Sequence, residues 1–213
     1  MLENLPVVTT ATAKGAKVRV LPQPLYDSEL TGTGAINQLP LFAVPLGGSF
    51  QNVTGTPDYT RKGLADTNVR QAGQLGSPLE FDMTGFNLRI AAAVTSTPVG
   101  IVPADFLEII KNGWFEFNFN NRPFLQVPIE ELPCGVGISG FAGLAGAGAA
   151  INQQFHVGIG HTNNVFKYLV GKFRVRIRST ENFSASLNWG TAIANTITYK
   201  VTLVLQGYLY NAI

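Results

Sequence analysis

The sequence predicts an all-β fold: an antiparallel β-sandwich, jelly-roll-like, with one short helix and an extended N-terminal arm. Three observations predict it. From Val165 onward apolar residues recur with a period of two, in VFKYLVGKFRVRIRS, FSASLNW and ITYKVTLVLQGYLYNAI. That alternation belongs to strands with one buried face. Glycine (23) and proline (12) together make about one residue in six of the 213, scattered as turn punctuation and not as a repeat. Such spacing suits many short strands. One segment alone carries helix start and stop signals. All-β chains of this length commonly form a single domain, so the expected organisation is an arm over residues 1–35 and one sandwich over residues 36–213.

In chain order, residues 1–35 are rich in Thr, Ala, Gly and Pro, with one strand candidate at Lys17–Leu21 before Pro22 and Pro24 hold the chain extended. Two short apolar stretches between Gln38 and Val53 are broken by Pro40, Pro45 and Gly47-Gly48, a density that suits edge strands or loops. Residues 54–78 are polar without a period and read as a long surface loop or a strand-crossing segment. Strands follow at Leu79–Met83 and Phe86–Val94. The helix opens at Pro103-Ala104-Asp105, turns Phe106, Leu107, Ile109 and Ile110 to one side, and stops at Asn112-Gly113. Trp114–Phe119 alternates strictly and pairs as a hairpin with Phe124–Ile129 across Asn120-Asn121-Arg122-Pro123. A Gly/Ala segment over residues 135–151 and a polar link lead to the C-terminal strands, which run to the last residue.

Charge narrows the function classes. Asp, Glu, Lys and Arg make up 13% of the chain, against about 25% in ordinary soluble domains. With 46% apolar residues the chain has enough to bury a core. Few charges need desolvation when two copies meet, so extensive protein–protein burial is expected. A net charge of +2 is too small for long-range attraction of the whole chain to nucleic acid. A single cysteine, Cys134, excludes an internal disulfide and a multi-cysteine metal site. No basic region precedes an apolar stretch at the start, and no apolar run reaches the roughly 18 residues of a membrane-spanning helix. Neither a signal peptide nor a transmembrane segment is expected.

The candidate sites are local. Gly135, Gly137 and Gly140 match a dinucleotide-loop spacing, but FAGLAGAGAA is poor at opening a helix and no acid falls between Glu131 and Glu181. His156 and His161 have odd spacing and no acidic neighbour, so no metal is expected. The carboxylates are scattered, Glu80 and Asp82 sharing a face that the pattern leaves exposed. No cofactor, small-molecule substrate or enzymatic activity is expected. The strongest local signal is a basic row: Lys172, Arg174, Arg176 and Arg178 share one strand face at intervals of about 6.6 Å. Such a row either faces phosphate, of nucleic acid or of lipid headgroups, or is paired with carboxylates, with Glu181 or Glu116 as candidates. In the uncharged segment ISGFAGLAGAGAAI, Phe141, Leu144 and Ile151 suit either a close subunit junction or a loop that touches a membrane.

Together these features resemble the small single jelly-roll capsid proteins of tailless icosahedral phages. The resemblance is carried by the extended arm, the polar loop DYTRKGLADTNVRQAGQL, a helix between strands, WFEFNFNNRPFLQVPIEELPCGVG and the terminal strand. It implies a structural virion protein made in the host cytoplasm, with no catalytic residues. Its expected partners are copies of itself, met through low-charge faces and the N-terminal arm, a second capsid protein, and a genome or internal membrane at the basic row. The alternative class is a β-sandwich adaptor or a receptor- or glycan-binding module of a phage tail, fibre or cell surface. Trp114, Trp189 and Tyr208 are then the candidates for an exposed aromatic cluster.

Overall fold

The fold is known from a computed structural model, which describes residues 18–52, 61–93, 103–132, 138–142, 153–157 and 175–212. Eleven strands are formed there: β1 (Val18–Leu21), β2 (Leu25–Leu30), β3 (Ala35–Leu41), β4 (Leu79–Ala92), β5 (Gly113–Phe119), β6 (Arg122–Pro128), β7 (Ile138–Ala142), β8 (Gln153–Val157), β9 (Val175–Arg178), β10 (Phe183–Ala194) and β11 (Tyr199–Ala212). Helix α1 (Pro103–Lys111) lies between β4 and β5. Proline at its first position and Asp105 in its first turn are what a helix start favours.

Two sheets pack face to face. Sheet A has the order β1-β11-β4-β9, with β2 also on β11, and sheet B the order β3-β10-β5-β6. β1 and β2 share one register on β11, with Leu21 opposite Leu209 and Leu25 opposite Leu205. They act as a single edge strand whose ladder lapses at Pro22 and Pro24, since proline has no N–H to give. Counting them as one and setting aside the β7-β8 hairpin, eight strands interleave as 1-8-3-6 and 2-7-4-5. This is a jelly roll, the sandwich of two Greek keys. Residues 18–30, expected within the arm, are extended as anticipated but run along β11 as the edge of sheet A, and residues 31–34 turn the chain into β3 of sheet B. Residues 1–17 of the arm lie outside the described residues.

The core lies between the sheets. Phe81, Met83, Phe86 and Leu88 of β4 and Val201, Leu203 and Leu205 of β11 meet Phe115 and Phe117 of β5, Leu187 and Trp189 of β10, and Leu39 and Leu41 of β3. Each such burial contributes about 1.5–3 kcal/mol. The two strands expected at 79–83 and 86–94 are one strand, β4. Its inward face changes from odd to even positions because a bulge falls where the partner steps from Gln206 to Gly207. Gly207 is required there: a Cβ would sit 2.1 Å from the Asp82 carbonyl oxygen. Gly113 has a similar reason, since a Cβ would press on Trp189 and Ile129. The Trp189 indole donates to the Ile109 carbonyl at 3.0 Å and ties α1 to the end of the sandwich. Asp105 ties it again, accepting from Thr196 N at 2.7 Å and Thr196 Oγ1 at 3.0 Å.

Three smaller expectations change. Ile129, expected as the last residue of the hairpin strand, instead opens a 3-10 turn that also holds Glu130 and Glu131. Part of the Gly/Ala segment is strand β7, paired with β8. Residues 61–76 are a loop, as expected, but one that sends a side chain into the interior.

Candidate functional site: a buried lysine between two carboxylates

On β2 the residues opposite Leu203 and Val201 are Asp27 and Glu29, so both carboxylates face inward with the core. Edge strands carry inward-facing charge only where something neutralises it. Here the partner is Lys62. Its Nζ lies 3.0 Å from Asp27 Oδ1 and 3.1 Å from Oδ2, and 3.0 Å from Glu29 Oε2. The Lys62 and Asp27 side chains are 0% exposed and Glu29 is 1% exposed.

The loops fix this geometry through the backbone. Lys62 N donates to the Gly48 carbonyl at 2.8 Å, and Gly47 N to the Lys62 carbonyl at 2.9 Å. Gln51 N donates to Glu29 Oε1 at 2.9 Å and Leu30 N to the same oxygen at 3.2 Å. Phe42 N donates to Asp27 Oδ2 at 2.6 Å. Phe42 itself adopts φ 62°, a left-handed conformation that costs an aromatic residue about 1–3 kcal/mol and persists only where its surroundings impose it. The Lys62 nitrogen also stands 5.5 Å from the centre of the Phe50 ring. Glu29 Oε2 has no aligned hydrogen bond, so its 3.0 Å approach to Lys62 is purely an ion contact. Burial pushes the Asp27 carboxyl above its ordinary range. The Lys62 charge, the Phe42 N–H and the Thr67 hydroxyl pull the other way.

The basic row divides. On β9 Ile177 points inward while Arg176 and Arg178 point out, as expected; Lys172 and Arg174 lie outside the described residues. Arg176 is paired, but not with the acids expected. β9 runs beside β4, so Asp82 faces Arg176 and Glu80 faces Arg178. Arg176 Nε lies 2.8 Å from Asp82 Oδ1 and 3.6 Å from Glu80 Oε2; Nη2 is 3.3 Å from Asp82 Oδ2. The guanidinium stacks 4.6 Å over the Tyr210 ring. The Asp82 hydrogen bond raises the Arg176 pKa above its usual value. Glu181 accepts from the backbone N–H of Arg178, and the Arg178 side chain has no ion pair among the described residues. Because Arg176 is 44% exposed, solvent screening limits the pair to about 1 kcal/mol. Arg176→Ala is expected to lower stability by that amount in urea unfolding. Arg176→Lys should recover little, because it loses the fork and the stack.

Phe141 falls on β7, opposite Gln154; Leu144, Ile151, Cys134 and His161 lie outside the described residues. The three aromatics do not form one cluster. Trp189 is 3% exposed and turned inward; Trp114 and Tyr208, at 41% and 42%, stand on the outer faces of different sheets. Around Trp114 the outer face of sheet B is almost uncharged. One cross-strand row holds Gln38, Asn188, Trp114 and Pro128, and the next Pro40, Ser186, Glu116 and Gln126. Gln38 Nε2 donates to Asn188 Oδ1 at 3.0 Å, and Gln126 Nε2 to Glu116 Oε2 at 2.8 Å.

Among the described residues no three of His, Cys, Asp and Glu gather as a metal site, and no helix is long and apolar enough to cross a membrane. No protein-family model, curated protein or solved structure matches the chain. Local pattern gave no sign of the lysine cluster: Lys62 sits in a polar stretch, and Asp27 and Glu29 in a segment without an apolar face.

Proposed function

We propose that the chain is a structural coat protein, assembling with copies of itself into a closed icosahedral shell of a virion. The observation that carries this reading is a jelly roll whose sheet B presents an outer face with one charge, Glu116, in two rows of four residues. Jelly rolls serve in viral capsids and in lectins, and the fold by itself assigns neither. The face favours a shell: bringing it against another copy desolvates little charge, and symmetry multiplies contacts that are individually weak. Residues 1–17 are the expected link to neighbouring subunits. A second capsid protein, and a genome or internal membrane, are the further partners of this reading. Among the described cations of the basic row, Arg178 is the one left for phosphate, since Arg176 is held by Asp82.

One observation favours a second reading, a binding module of a tail, fibre or cell surface. Trp114 is exposed beside the Asn188 amide, with the Gln38 amide next along the same cross-strand row, a grouping that suits the apolar face and hydroxyls of a sugar. Native mass separates the two. Light scattering on a sizing column, with particles viewed in negative stain, should give shells or large regular oligomers. A monomer or trimer that persists across salt and concentration overturns the shell and leaves the binding module.

A further inference from the structure

One lysine between two carboxylates, all sealed from water, exceeds what a salt bridge needs. A bridge is complete with one carboxylate; a second leaves a net negative charge where burying charge is costly. The same three groups are the ones amide formation requires: an amine, a carboxyl group to acylate, and a second carboxyl group to carry the proton. We propose that Lys62 Nζ and Asp27 Cγ join in an intramolecular isopeptide bond, formed by the folded chain itself with Glu29 as the proton-transferring residue.

The geometry supports each step. Lys62 Nζ is nearly equidistant from Asp27 Oδ1 and Oδ2, at 3.0 and 3.1 Å, a two-pronged ion contact that holds it within reach of Cγ; a turn of the carboxyl group about its Cβ–Cγ bond presents the face of that carbon. Reacting atoms held about 3–3.5 Å apart gain the large effective concentrations of intramolecular reactions. Glu29 Oε2, 3.0 Å from the same nitrogen and held by no hydrogen bond, is free to align with an N–H, take the ammonium proton and release the lone pair. A dry site disfavours ionised groups, and burial already pushes Asp27 toward its neutral acid, the form an amine attacks. As Nζ bonds to Cγ, negative charge grows on Oδ2. The Phe42 N–H already donates to that oxygen at 2.6 Å and stabilises the charge as an oxyanion donor. Oδ1 then leaves as water, protonated through Glu29.

One N–C bond forms, one C–O bond breaks, and one water departs. Nothing is oxidised or reduced, and no further reactant is needed. The net charge of the three groups stays at −1, but it now rests on Glu29 alone, beside a neutral amide whose N–H can donate to it. The strained turn at Phe42 and the backbone bonds between Lys62 and Gly47-Gly48 serve to aim the two reacting groups.

The test is the mass of the intact full-length chain after denaturation. It is expected to be one water lighter than its sequence. Trypsin, which cuts after Arg19, Arg61 and Arg70, should release residues 20–61 joined to residues 62–70 as one branched peptide. Lys62→Met is expected at its full sequence mass, and so is Glu29→Gln, which keeps the shape of the side chain and its acceptor for Gln51 N. A wild-type chain at full mass, with residues 20–61 and 63–70 recovered as separate peptides, overturns the proposal. So does a lost water that maps elsewhere or persists in Lys62→Met. Complete cross-linking in Glu29→Gln removes Glu29 from the reaction. Because the wild-type measurement is made on unfolded chains, it stands even where a variant folds poorly.

Discussion

Lys62→Met is expected to cost about 3–5 kcal/mol at neutral pH, the effect of removing one partner from a buried ion pair. Methionine matches the length of the stem, so the loss comes from charge and not from a cavity. Asp27 and Glu29 would remain on one face of β2, both sealed from water and without a cation. Loss of the proposed isopeptide bond adds to this. Asp27 and Lys62 are 35 residues apart, and closing a loop of that length contributes up to about 4 kcal/mol in the chain-entropy account. Urea unfolding of the two proteins at pH 7 reads the sum. A loss below about 1 kcal/mol would mean that water reaches the cluster and that its burial does not control stability.

The sign of the pH dependence follows from Asp27. Its pKa is raised in the folded protein, chiefly by desolvation, and the Lys62 charge is the largest opposing influence. Without Lys62 it rises further. A carboxyl group with a raised folded pKa contributes stability that is full below its unfolded value and is lost as pH climbs through the folded one. The gap between Lys62→Met and wild type should therefore narrow as pH falls from 7 toward about 4. A gap that widens in acid contradicts the assignment of Asp27 as the destabilised group.

The contrast between β5 and β2 shows what the sequence could and could not convey. In β5 every inward residue after Gly113 is aromatic, so period two was legible from Trp114 to Phe119 and the hairpin to β6 followed from its turn. The strands β10 and β11, the helix from Pro103 and the jelly-roll class were legible for the same reason: local pattern and local structure agreed. β2 reads Leu-Tyr-Asp-Ser-Glu-Leu, with acids at inward positions, and neither face looks apolar. What makes it a strand is Lys62, brought back by a long loop, and no local window contains both. The bulge at Gly207 likewise split β4 into two apparent strands by exchanging its faces. The basic row failed in a different way. Arg176 was placed on the correct kind of face; Asp82 stands on the outward face expected but is buried there at 8% exposure, and their pairing depends on β9 lying beside β4, a fact of topology that side-chain spacing does not encode.

The centre of the sandwich makes the other large prediction. Phe117 of sheet B stands with its ring 5.2 Å from Phe86 of sheet A at 63°, 6.3 Å from Phe124 at 86°, and 6.5 Å from Phe183. The first two are edge-to-face pairs, which add about 0.5–1.5 kcal/mol each beyond area burial, and Phe→Ala in a packed core costs about 3–5 kcal/mol. Phe117→Ala should fall at the upper end, because a β-sandwich cannot close such a gap without moving a whole strand against its ladder. For a chain of this size that is a drop in Tm of roughly 10 °C or more. Phe124→Ala, a residue 37% exposed, is the control and should cost about 1–2 kcal/mol, since more than a third of it already meets water and the gap opens to solvent. Thermal melts of both variants, made on dissociated subunits so that assembly does not enter, decide the point. Near-equal losses would mean that the ring stack is not where the two sheets are joined. The paired edges and the Lys62 cluster would then have to hold the sheets together.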